Sequence, residues 1–127
     1  MYENPDQDLN KLWWDMVEKY QGLHRPEGRN EADWASKIHL TDAPVYYHNY
    51  LIAELLASQF AETIGNKVLK VPDPFNWAFA GDSRIGKYFV ENVFYPGARY
   101  TWNEMIERAT GEKLTSVYYA RQFMGTN

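Results

Sequence analysis

With 127 residues and no cysteine, the chain has the size of one ordinary domain and can form neither a disulfide nor a thiolate metal site. Thirteen basic residues against 17 acidic ones leave a net charge of −4, which argues against nucleic acid, whose phosphates are held by clustered Lys and Arg. No run approaches the roughly 20 apolar residues of a membrane span. The opening Met1-Tyr2-Glu3-Asn4-Pro5 has no basic stretch leading into an apolar one, so no signal peptide is expected and the cytoplasm is the expected compartment.

Helix punctuation recurs along the chain. Asn4 as N-cap, Pro5 at the first helical position and Asp6 and Asp8 behind it predict a helix start. Leu9, Leu12, Trp13, Met16, Val17 and Tyr20 then recur at helical spacing until Gly22 ends the segment. After a loop with Pro26 and Gly28, Asn30 is placed to cap a short helix through Trp34 and Ile38. A central helix is expected from about residue 44 to residue 64, closed by Gly65. Its apolar residues, from Tyr46 and Leu51 through Leu55 to Phe60 and Ile64, nearly surround it, and a helix apolar on most sides is normally buried. Residues 66–81, with Pro72, Pro74 and Gly81, read as a long loop. Asp82 opens a helix that Pro96 and Gly97 end, Thr101 with Glu104 forms a capping box before Gly111, and Thr115 introduces a last helix with Tyr118, Tyr119 and Phe123. No stretch alternates with period two. The expected fold is all-α: a single domain over 1–127, a compact bundle of about five to six helices around the long buried helix at 44–64.

Few residues can carry chemistry. The three histidines, His24, His39 and His48, form no His-Glu-x-x-His pattern, the spacing that sets two imidazoles on one helical face around zinc. No metal site is expected from this chain alone. Ser36, Ser58, Ser83 and Ser116 lie in no nucleophile-elbow context, and the glycines form no phosphate-cradling loop. One constellation remains: Lys37, His39, Tyr47, Tyr50 and Glu54. Tyr47, Tyr50 and Glu54 share one stripe of the central helix, and Lys37 and His39 precede it. Such a group offers a cation to a carboxylate and neutral donors to a developing oxyanion. On composition alone it reads more readily as two core tyrosines beside a satisfied histidine, because aromatic stripes are ordinary core features.

Ordered motifs bear on that choice. Leu12-Trp13-Trp14, then Lys19-Tyr20-Gln21-Gly22-Leu23, then Lys37-Ile38-His39, then Tyr47 and Tyr50 followed by Gln59-Phe60 resemble a segment of peptidyl-dipeptidases of the angiotensin-converting-enzyme family. The Trp102 helix and the turn Ala109-Thr110-Gly111-Glu112 fit that family's C-terminal end. The resemblance implies that Lys37 binds the substrate's C-terminal carboxylate, with Tyr47 helping to hold it. It implies that His39 donates to the substrate backbone near the scissile bond and that Tyr50 stabilises the oxyanion. A phenol suits that last task as a neutral donor that keeps its proton.

Two departures stand out. The family places six residues between its His and its first Tyr, whereas His39 and Tyr47 have seven between them. Asn49 stands where animal members carry a chloride-binding Arg, so chloride activation is not expected. Members bear zinc ligands upstream of this region, and none is present here. The resemblance therefore implies the C-terminal part of a catalytic domain, with zinc and a peptide substrate in the complete enzyme. Alone the chain is expected to be inactive and to pair with a zinc-bearing lobe, or with itself, through an exposed apolar face. A stand-alone helical binding or scaffold module, or a piece of a thimet-type oligopeptidase, are the alternatives.

Overall fold

The computed structural model describes residues 1–124. They are all-α, with no strand among the described residues. The chain divides into two compact units, Met1–His48 and one that begins at Asn49.

In the first unit, α1 spans Leu9–Gln21. Its N-cap is Asp8, whose side chain accepts from the Lys11 N–H at 2.9 Å. Asn4 and Pro5, expected at the helix start, instead sit in a turn where Gln7 Nε2 donates to the Asn4 carbonyl at 2.7 Å. The helix ends as expected at Gly22, in left-handed backbone at φ 69°, with its N–H donating to the Glu18 carbonyl. Val17 is the buried residue of α1.

Asn30 does not cap a helix. Its side-chain oxygen accepts from Arg25 at 2.5 Å and its carbonyl from Asn10 at 3.2 Å. A 3₁₀ turn over Asp33–Ser36 follows, then the single-turn helix α2, Ile38–Thr41. Two indoles tie this stretch to α1: Trp14 Nε1 donates to Asp33 at 3.1 Å and Trp34 Nε1 to Asn10 at 3.0 Å.

Helix α3 spans His48–Thr63, all but its first residue in the second unit, and runs without a break into a π-helical turn, Ile64–Leu69. The expected start near residue 44 moves to residue 48 because Val45 adopts φ 58°, a left-handed conformation that interrupts the helix. The expected stop at Gly65 is absent as well. That glycine permits the close approach of Pro74, whose Cα would lie 2.9 Å from a Cβ built there. The chain leaves the π turn at Lys70, φ 58°. Burial of α3 is confined to its C-terminal third, at Ser58, Gln59, Phe60, Glu62 and Thr63.

Helix α4, Ser83–Phe89, is capped by Asp82 and passes into a second π turn, Val90–Phe94. Helix α5, Trp102–Thr110, opens on the Thr101–Glu104 capping box and closes at Gly111, φ 104°. Helix α6 is Val117–Met124. The core of the unit is Phe60, Ile64, Leu69 and Ala109, packed against Leu56, Val68, Ile85, Tyr88, Phe89 and Val93. Phe60 meets Phe89 at 5.2 Å between ring centroids. Ile106 is buried beyond it at 1% exposure.

Candidate functional site

The first unit presents three of the residues singled out by sequence. Lys37 is the extended residue before α2, and His39 lies within that helix. A short turn brings the chain back on itself, with the N–H groups of Asp42 and Ala43 donating to the Ile38 carbonyl at 2.9 and 2.8 Å. The left-handed Val45 completes the reversal. As a result the His39 ring stacks on Tyr46 at 4.8 Å with 26° between planes, and meets Tyr47 edge-on at 5.2 Å and 81°.

Sequence reasoning missed two contributors to this cluster. Tyr46 lies face to face with the imidazole, and two adjacent tyrosines gave no signal to say which would do so. Tyr2 pins the turn from the N-terminal end: its hydroxyl donates to the Leu40 carbonyl at 3.3 Å and accepts from the Val45 N–H at 3.2 Å.

Lys37 faces a different environment. Its Nζ lies 6.0 Å from the centroid of the Trp13 ring, at the outer limit of a cation–π contact. It lines a cavity of about 470 Å³ together with Trp13, Trp14, Val17, Arg29 and Asp33. The Arg29 guanidinium donates to both Asp33 oxygens, with Nε at 2.8 Å. That hydrogen bonding holds the Asp33 carboxyl below the usual carboxylate range, against a smaller opposing effect of desolvation. The cavity therefore presents indole faces, an internally paired Arg and the Lys37 ammonium, a mixture suited to a group with an apolar body and a negative end.

Tyr50 and Glu54 belong to the second unit, on the exposed N-terminal part of α3. Tyr50 is 55% exposed, and Tyr46 and Tyr47 in the first unit are 44% and 48% exposed. These values do not fit core aromatics. Among the described residues there is no group of three or more His, Cys, Asp or Glu that could hold a metal ion.

No solved structure matches the chain. A family model described as angiotensin-converting enzyme matches residues 2–123. Over 116 residues the chain is 27% identical to an angiotensin-converting enzyme of Theromyzon tessulatum, covering 90% of this chain and 18% of that protein. It is 30% identical over 116 residues to an angiotensin-converting enzyme of Haematobia irritans exigua, covering 84% of this chain and 18% of the relative. It is 28% identical over 105 residues to the angiotensin-converting enzyme-like protein Ace3 of Mus musculus, covering 81% and 14%. Spanning less than a fifth of the length of these relatives, the chain belongs to the angiotensin-converting enzyme family of peptidases.

Proposed function

We propose that this chain supplies the substrate-carboxylate and oxyanion contacts of a zinc-dependent, peptidyl-dipeptidase-like peptidase, and that turnover requires a zinc-bearing lobe. The observation that carries the reading is the family match over residues 2–123, together with half-exposed tyrosines where the matched motifs stand. Lys37 holds the C-terminal carboxylate of the peptide by charge, with the Tyr47 hydroxyl as a neutral second donor. His39 donates to the substrate backbone beside the scissile bond, and its ring contacts with Tyr46 and Tyr47 limit the orientations it can take. Tyr50 donates to the oxygen on which negative charge develops. The other lobe would hold the zinc, which when bound would supply an activated water and polarise the substrate carbonyl.

The test is hydrolysis of an N-blocked tripeptide by the chain, alone and with a zinc-bearing lobe from a relative, each with a chelator control. Chelator-sensitive turnover is expected in the mixture and not in the chain alone. Tyr50→Phe in the mixture is expected to lower kcat by about a hundredfold or more, as loss of an oxyanion donor does. Turnover by the chain alone that disappears in His39→Ala would overturn the reading, because the chain would then complete a catalytic site by itself.

A further inference from the structure

Gln59 is a fully buried polar side chain, at 0% exposure, beside the apolar cluster of Phe60, Ile64, Leu69 and Ala109, and Ser58, Glu62, Thr63 and Thr110 are buried in the same unit. Its amide nitrogen donates to Thr110 Oγ1 at 2.8 Å and to the carbonyls of Glu112 at 3.2 Å and Lys113 at 3.4 Å. Its amide oxygen accepts from the Thr115 N–H at 3.2 Å. One side chain of α3 thus satisfies the turn that joins α5 to α6. Its neighbours on the same helix reinforce the link. Ser58 Oγ donates to Gln122 Oε1 at 2.7 Å, and Arg121 pairs with Glu62.

These contacts fall where α3 is buried, and Tyr50 lies nine residues away on the same helix. Nine residues at about 100° each place Tyr50 on the face opposite Gln59, with a separation of roughly 13 Å along the axis. Gln59 therefore acts on Tyr50 only by moving the helix. A buried amide with every partner in place also favours one position of the helix over neighbouring ones, since a small slide would leave several buried polar groups unpaired at once.

We infer that Gln59 is a positioning residue: it locks the C-terminal third of α3 onto the 110–115 turn and thereby sets where the helix presents Tyr50. The inference rests on the reading of Tyr50 as the oxyanion donor, and its test separates the two.

The variant is Gln59→Met, which keeps the length of the side chain and removes its hydrogen bonds. In the full chain with ring-labelled tyrosine, the Tyr50 signal is identified by its loss in Tyr50→Phe. That signal is expected to shift or broaden in Gln59→Met while the rings of Tyr2 and Tyr20 stay in place. Combined with a zinc-bearing lobe, Gln59→Met is expected to lower kcat about ten- to a hundredfold with KM within twofold, the mark of a misplaced transition-state contact. A folded Gln59→Met with an unchanged Tyr50 signal would overturn the inference. If Gln59→Met does not fold, Thr110→Val, which removes one of the acceptors, decides by the same spectra. Full turnover in Tyr50→Phe would instead remove the catalytic role of Tyr50, while the ring spectra still decide whether Gln59 positions the helix.

Discussion

Two glycines of the second unit lie in helical backbone, yet what surrounds them gives opposite expectations. At Gly65 a Cβ would overlap the Pro74 side chain and approach its Cα at 2.9 Å, a rigid neighbour on both counts. Gly65→Ala is therefore expected to destabilise the chain by about 1–3 kcal/mol, as overpacking does. At Gly86, inside α4, nothing lies within 4 Å of the added atom and the backbone is right-handed. Gly86→Ala is expected to stabilise by about 0.5–1 kcal/mol through the lower entropy of the unfolded chain. Urea denaturation of the two variants checks both, and a loss of stability in both would show that α4 does not have the free space described. A third residue is open to spectroscopy. The Tyr118 hydroxyl donates to Glu112, and that bond, with some desolvation, pushes its phenol up to about 12. In Glu112→Gln the negative acceptor is gone, so an alkaline absorbance titration is expected to show one phenol moving down toward the ordinary value of about 10.

Among the elements, α5 gives the clearest dependence on pH. Thr101 Oγ1 donates to Glu104 at 2.7 Å, and the Thr101 N–H does so at 3.0 Å. Those bonds favour the ionised carboxylate, so the Glu104 carboxyl lies below its ordinary range. The unfolded chain then binds its proton at higher pH than the folded one does. The cap is at full strength above the unfolded value of about 4.3 and is lost as pH falls through the lower folded value. A urea midpoint that falls on acidification below about pH 4.3, less steeply in Glu104→Gln, is the expected result. This cap was legible in the sequence because Thr and Glu three apart have one compact use, and Asp82, Gly22 and Gly111 were legible for the same kind of reason. What escaped were features set by tertiary packing. Val45 is β-branched and gives no hint of left-handed backbone, so the start of α3 was misplaced. Gly65 resembles a helix stop in sequence and serves a contact with Pro74 that only the fold creates. The π turns after α3 and α4 have no sequence signature of their own. For the site, the motif found Lys37 and His39, but not that they face different groups: Lys37 the indole of Trp13, and His39 the rings of Tyr46 and Tyr47.

At the scale of the whole molecule, the balance of covered and uncovered apolar surface bears on the proposed lobe. Among the described residues the buried apolar ones are few: Val17, Phe60, Ile64, Leu69, Ile106 and Ala109. Large side chains stand open in both units, among them Met16, Tyr20 and Leu23 in the first, and Phe94, Tyr95 and Trp102 in the second. Exposed aromatics on this scale carry a hydration cost that association relieves, and Tyr and Trp are the side chains that contribute most where proteins meet. The chain matches relatives of which it spans less than a fifth, so a zinc-bearing lobe of the same family is the partner proposed for these faces. Two outcomes are expected of sedimentation velocity. Alone, the chain should associate with itself as concentration rises; with the lobe present, it should form a one-to-one complex instead. An apolar dye should bind the chain alone and be displaced as the lobe is added. A chain that stays monomeric at high concentration and binds no dye would mean that these side chains need no cover, and the proposal of a missing lobe would fail with it.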